Sequence, residues 1–292
     1  MVHRIAFIGT GIMGLPMAGH LLGKKFSLTV HSRTRSKCAE LEARGAVWAE
    51  SPAAAAREAD IVCICVTDTP DVESVIVGED GIIHSARPGT IVIDHSTISP
   101  LATQNLATRL AAINVSLLDA PLSGGDVGAR NGTLSIMVGG DADSLERAMP
   151  VLQSYGKTIT HCGGPGTGQF TKLVNQVLIC GALGGVCEAL HLAKQAGLDL
   201  TKTIAATTGG AAGSWQLANL GPKIAAGDYA PGFMIDLIVK DLRLVAEAMA
   251  ATGVTLPIAA GVTELFKQAQ STGHGRDGTQ ALFHAIIEAH RS

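Results

Sequence analysis

Gly9-Thr10-Gly11-Ile12-Met13-Gly14 sets three glycines at GxGxxG spacing, directly after an apolar run and at the opening of a helical pattern. A dinucleotide pyrophosphate needs this arrangement. Gly9 permits a tight turn, Gly11 lets the backbone approach the ligand, and Gly14 lets helix and sheet pack closely. The helix N-terminus adds unpaired amides and a partial positive charge. Thr10, Ile12 and Met13 complete the expected cofactor-binding loop. A glycine-rich turn with no ligand is the plain alternative.

The end of the second expected strand bears on which dinucleotide. A site for NAD usually holds an Asp or Glu about 20 residues after the motif, bonded to the ribose 2′-hydroxyl. Val30-His31-Ser32-Arg33-Thr34-Arg35-Ser36-Lys37 offers no carboxylate and carries three cations. Arg33 can hold a 2′-phosphate through paired hydrogen bonds, with Ser32 or Thr34 as a neutral donor. NADP is therefore the expected cofactor, with NAD used less efficiently. A solvated basic turn is the alternative.

Lys172 is the only Asp, Glu, Lys or Arg between Lys157 and Glu188. A surface helix ordinarily carries more charge, so the helix holding Lys172 is expected to be largely buried. Asn175 shares the lysine's helix face three residues on, and Gln176 lies four on. An ammonium there suits carbonyl reduction, because it can stabilise charge developing on the oxygen and deliver a proton. A lysine that snorkels from the helix end is the structural alternative.

These groups need a scaffold. The chain has 292 residues, 47% hydrophobic and 16% charged, with 35 glycines and only 3% aromatics. The low charge content, against about 25% typically, argues against disorder and for a core of Ala, Val, Ile and Leu. A net charge of -3 lacks the cationic surface that attracts nucleic acid or anionic membranes. Cys63 and Cys65 lie in an apolar run, no CxxC pair occurs, and a reducing cytoplasm is expected. No leader is recognised at the start of the chain. The most apolar stretch, Val177 to Cys187, falls short of the ~18 residues of a membrane span. The histidines, His95, His161 and His274 among them, lack ligand spacing, and no metal is expected.

Strands are expected at Arg4–Gly9, Ser27–His31, Ile61–Val66, Thr90–Asp94, Ser116–Pro121, Leu134–Val138 and Lys157–Cys162. Several are continuous apolar runs, the pattern of strands covered on both faces. Helices are expected over 12–24, 34–44, 52–58, 70–77, 100–112 and 142–153. Ser51-Pro52 and Ser99-Pro100 read as helix starts. The turn-rich Gly163-Gly164-Pro165-Gly166 then closes the alternation. Beyond it only helical periodicity is found, over 167–196, 199–207, 214–226, 235–252, 257–271 and 279–289. The expectation is an α/β Rossmann-type domain with a mostly parallel sheet (1–163) and an all-α domain (164–292), with a long interdomain helix over about 167–196.

Four blocks together resemble the β-hydroxyacid dehydrogenase family, which includes 3-hydroxyisobutyrate dehydrogenases and tartronate semialdehyde reductases. They are Ile8 to Gly14, Asp119 to Ala129 with Gly132-Thr133-Leu134, Gly166 to Asn175, and Lys240-Asp241-Leu242. The resemblance implies that Lys172 is the proton donor and alkoxide stabiliser, supported by Asn175. It implies that Ser123, Gly124 and Gly125 bind the substrate carboxylate, which agrees with a hydroxyl and glycine amides forming an anion cup. It also places Lys240 near the nicotinamide and Phe233 beside the site, and Thr97 joins the cofactor-binding set. Two positions depart from the pattern: Thr10 replaces a frequent Leu, and His20 replaces a common Asn.

Within the family, Ser123 to Gly140 looks most like tartronate semialdehyde reductases, which implies reduction of 2-hydroxy-3-oxopropanoate to glycerate. Asn175, Asp126 or Gln176 could meet the additional polar groups of such a substrate. Methylmalonate semialdehyde/3-hydroxyisobutyrate is the runner-up pair, another β-hydroxyacid or an aldonate is a further alternative, and a non-catalytic NADP-binding module is the rival from another class. The helix through Gly181, Gly184 and Gly185 permits close contacts, and a homodimer or homotetramer is expected.

Overall fold

A computed structural model of the chain describes residues 4–289. Two compact units are present, one ending at Lys172 and the other starting at Leu173.

The first unit begins as alternating strands and helices. β1 (Arg4–Ile8), α1 (Gly14–Gly23), β2 (Ser27–His31), α2 (Ala39–Ala43), β3 (Val47–Trp48), α3 (Pro52–Ala56), β4 (Ile61–Ile64), α4 (Thr69–Val77) and β5 (Ile91–Asp94) follow in turn. Next come α5 (Pro100–Ala111), β6 (Ser116–Asp119), β7 (Leu122–Ser123), α6 (Gly125–Asn131), β8 (Leu134–Gly139), α7 (Ala142–Leu152) and β9 (Gly156–Gly163). The sheet order is β3-β2-β1-β4-β5-β6-β8-β7, with β9 beside β8. Pairings from β3 to β6 are parallel, while β8 runs antiparallel to β6 and β7. Order therefore reverses between β1 and β4, and the carboxyl ends of strands at such a switch point form a ligand crevice.

The continuous apolar runs have a direct cause. Alternate residues of one strand serve two cores: Ile5 and Phe7 join Met17, Leu21, Cys63 and Ile93 on one face. Ala6 and Ile8 join Val62, Ile64, Ile76, Leu106 and Leu110 on the other. Two helix starts are capped as the sequence predicts. Ser51 Oγ accepts from Ala54 N at 3.1 Å and Ser99 Oγ from Ala102 N at 3.4 Å, each before a first-turn proline. Such caps contribute about 1 kcal/mol.

α8 (Thr167–Gln195) is the long helix, and it runs on into the second unit. That unit continues with α9 (Leu200–Thr208), α10 (Trp215–Asn219), α11 (Gly221–Ala226), α12 (Ile235–Thr252), α13 (Pro257–Ala269) and α14 (Leu282–Ala289). Its core gathers Cys180, Leu183, Cys187 and Leu190 with Ile238, Leu242, Val245, Phe266 and Phe283. The span estimate for the apolar stretch needs correction. α8 is 29 residues long and apolar enough to cross a membrane by length and composition, because its apolar residues extend beyond Val177 to Cys187. Leu173, Cys180, Leu183, Val186, Cys187 and Leu190 of that helix line the helical core.

Several expected elements are divided. The helix over 34–44 is a 3-10 turn, Arg35–Cys38, followed by α2. The helix over 214–226 breaks at Leu220, where Gly221-Pro222 restarts it as α11. The sequence reading missed β3, β7 and α6.

Candidate active site

The glycine loop leaves β1 at the switch point. Gly9 has φ +96°, and a Cβ there would lie 2.2 Å from the Cys65 carbonyl oxygen, just beyond β4. A Cβ on Gly14 would lie 1.9 Å from the Gly9 oxygen and 2.9 Å from the Phe7 ring. Both glycines are thus required by the protein itself. Gly11 differs, because a Cβ there would meet nothing within 4 Å and its φ is not positive. No internal constraint asks for glycine at this position, whereas a pyrophosphate held close to the backbone does. The loop therefore fits the group that the motif implies. Thr10 is buried, with its hydroxyl 3.4 Å from Cys38 Sγ. Ile12 is exposed and Met13 half-buried.

After β2, Ser32 is half-buried, and Arg33 and Thr34 are exposed. Arg33 pairs with Asp71 of α4 at 3.1 Å. Arg35 stacks on the Trp48 ring at 4.4 Å and pairs with Glu42. Arg33 is the more exposed of the two guanidiniums. His20 takes the place of the common Asn, and its Nε2 lies 3.0 Å from the Ala129 and Arg130 carbonyl oxygens at the end of α6.

Lys172 is buried near the start of α8, and the first turns of that helix are fastened to the strand ends. Gly166 N donates to Asp119 Oδ1 and Gln169 N to Asp119 Oδ2, each at 2.8 Å. A Cβ on Gly168 would fall 2.5 Å from the Asp119 carbonyl oxygen, so only glycine lets the helix approach β6 this closely. Gln169 is also buried. Its Nε2 donates to Ser96 O at 2.7 Å, and its Oε1 accepts from Ile98 N at 3.1 Å. Those bonds flank Thr97, which is half-buried just after β5. Burial pushes the Asp119 carboxyl up to about 6, against amide donors that favour its charged form. Sequence reasoning did not single out Asp119 or Gln169, because bonds to backbone across tens of residues leave no local pattern.

Ser123 ends β7, opposite Ser135 of β8. Gly124 and Gly125 follow at φ +124° and +60°, a left-handed pair that favours glycine. Asp126 pairs with Arg130. Just after β5, burial pushes the His95 imidazole down to about 4, which favours its neutral form. Its Nδ1 donates to Ala120 O and its Nε2 accepts from the Tyr155 hydroxyl, both at 2.8 Å. Among the described residues no group of His, Cys, Asp or Glu gathers as a metal site.

In the helical unit, Asn175 is half-buried on α8, three residues beyond Lys172. Its Nδ2 donates to Gln176 Oε1 at 2.9 Å, and Gln176 Nε2 donates to Asp241 of α12. Lys240 lies 2.8 Å from the other oxygen of Asp241. Phe233 packs against the helical core just before α12.

Comparisons with known proteins identify the family. Residues 4–164 match the family described as the NAD binding domain of 6-phosphogluconate dehydrogenase. Residues 166–286 match the NAD-binding region of NADP-dependent 3-hydroxyisobutyrate dehydrogenase. An uncharacterized oxidoreductase of Synechocystis is 45% identical over 99% of both chains. The 2-hydroxy-3-oxopropionate reductase of Escherichia coli is 39% identical, over 98% of this chain and 96% of its own. The solved structure of Mycobacterium tuberculosis 3-hydroxyisobutyrate dehydrogenase with L-serine superposes with a TM-score of 0.91 at 32% identity, covering 98% of this chain and 99% of that one. With a dinucleotide loop at the switch point and a buried lysine on the following long helix, the chain belongs to the β-hydroxyacid dehydrogenase family of 3-hydroxyisobutyrate dehydrogenase-like oxidoreductases.

Proposed function

We propose that this protein is an NADPH-preferring semialdehyde reductase that converts 2-hydroxy-3-oxopropanoate to glycerate. The observation that carries the chemistry is Lys172, a buried cation on a helix whose first turns are pinned to β6 and the Ser96 to Ile98 loop. When bound, NADPH would supply the hydride for the aldehyde carbon and would be oxidised to NADP+. Lys172 Nζ holds a proton beside the carbonyl oxygen, stabilises the negative charge that develops there, and passes the proton to it. The carbonyl π bond gives way to a C–H and an O–H bond while the C–O single bond remains, and the lysine regains its proton from solvent. Ser123 Oγ and the amides of Gly124 and Gly125 hold the substrate carboxylate, and Asn175 keeps lysine and substrate in register. Phe233, Lys240 and Thr97 keep the cofactor-binding roles that the family resemblance implies.

The substrate assignment rests on the 39% identity with the Escherichia coli reductase and on the stretch from Ser123 to Gly140. The cofactor assignment rests on the basic turn after β2, where the exposed Arg33, paired with Asp71 across from α4, would exchange that carboxylate for a 2′-phosphate. A homodimer or homotetramer is part of the same reading, supported by exposed Val174, Leu178 and Leu192 on one face of α8. A panel of small semialdehydes and hydroxyacids assayed with both coenzymes tests substrate and cofactor together. The expected best pair is 2-hydroxy-3-oxopropanoate with NADPH, and Arg33→Ala lowers the NADPH-to-NADH efficiency ratio. An unchanged ratio overturns the cofactor assignment, and a clear preference for 3-hydroxyisobutyrate overturns the substrate.

A further inference from the structure

We propose that Gln176 and Asp241 form a buried polarity relay that fixes which end of the Asn175 amide serves the reaction. The inference rests on the reading that Asn175 takes part in the reduction. It starts from a chain of four side chains in the helical unit. Lys240 Nζ pairs with Asp241 Oδ1 at 2.8 Å, Gln176 Nε2 donates to Asp241 Oδ2, and Asn175 Nδ2 donates to Gln176 Oε1 at 2.9 Å. Gln176 and Asp241 are 1% and 2% exposed, so water does not mediate these links.

Each link has a direction. A carboxylate paired with an ammonium only accepts hydrogen bonds. Gln176 must therefore turn its amide nitrogen toward Asp241. A planar amide then presents its oxygen on the other side, and that oxygen also only accepts. Asn175 must answer with its own nitrogen, which turns Asn175 Oδ1 away from the relay as an acceptor. An outward acceptor one helical turn from Lys172 matches the two donors of the reaction, the lysine ammonium and the substrate hydroxyl. Rotated by half a turn, the same amide would offer a donor to donors. Asn175 on its own has no preference between these orientations, because the two ends of an amide are nearly the same size. The charge on Asp241, two hydrogen bonds away, makes the choice.

Gln176 is thus a positioning residue, and its substitutions separate this role from plain core packing. Gln176→Met keeps the volume and removes the acceptor that faces Asn175. Gln176→Glu keeps an acceptor there but sets a second carboxylate beside buried Asp241. A packing role predicts that the Glu variant is the more damaged of the two, in melting temperature and activity alike. The relay predicts opposite orders. The Glu variant melts lower yet retains more kcat, while the Met variant loses about 10-fold or more in kcat, the scale of a small misplacement. NADPH Kd stays within about two-fold in both, since the loss is one of orientation. In a double-mutant cycle, Gln176→Met adds little to Asn175→Ala, because both remove the same oriented oxygen. If the Glu variant does not fold, that cycle decides alone. Parent-like kcat in Gln176→Met, losses that multiply with those of Asn175→Ala, or kcat that follows melting temperature overturns the relay. Asn175→Ala with unchanged kcat overturns the catalytic reading of Asn175 itself, and the relay with it.

Discussion

Lys172 and Gly11 show how a single position can be read through what surrounds it. The lysine is a cation that the sequence places in apolar company and the fold buries. Lys172→Ala is expected to reduce kcat by about 10²–10⁴-fold, the range for losing a positioned acid. NADPH affinity, measured by fluorescence titration, should stay within about two-fold. Parent-like turnover would remove the mechanism. Gly11 gives the complementary case, a residue whose small size no protein contact demands. Gly11→Ala is expected to fold with a parent-like melting temperature while losing cofactor affinity about 10-fold or more. Gly14→Ala should instead lower the melting temperature, because its methyl group meets the Gly9 carbonyl oxygen and the Phe7 ring.

At the level of elements, the anchor of α8 has a consequence in pH. Asp119 holds the helix start, and burial raises its carboxyl from 3.8 to about 6. Between those values the folded chain binds more protons than the unfolded one, so stability falls as pH rises through the window. The contribution is fully present below about pH 4 and lost above about pH 6. Asp119→Asn has no such titration, and the stability of the parent relative to this variant should fall by on the order of 2 kcal/mol from pH 4 to pH 6. Thermal melts of both proteins across that range check it, and a constant difference would show that Asp119 does not titrate there. The main strands and helices were legible because a two-faced sheet leaves continuous apolar runs and a capped helix leaves Ser-Pro. β3 and β7 were not, since two residues are too few to show a period. α6 was missed because Gly125, Gly128 and the adjoining Gly124 read as a turn, and the helix depends on β8 and α1 beside it rather than on propensity. Lys172 stood out through the scarcity of charge around it. Asp119 stayed hidden because its partners are backbone amides 47 and 50 residues away.

Across the whole molecule, charge is sparse and apolar surface has to be placed somewhere. Val174, Leu178 and Leu192 fall on one exposed face of α8, and Gly181 and Gly185 between them add no bulk. Light scattering after gel filtration is expected to give a dimer or tetramer, and Leu178→Glu a smaller species. A monomeric parent would refute the assembly. One further feature gives the molecule an unusual convenience. The chain has only two tryptophans, and the indole of Trp48 lies under Arg35, two residues from Arg33. If that turn takes a 2′-phosphate, as proposed, the field on the indole changes, and Trp48 emission on titration with NADP+ is expected to differ from that with NAD+; identical responses would count against the turn as the phosphate site.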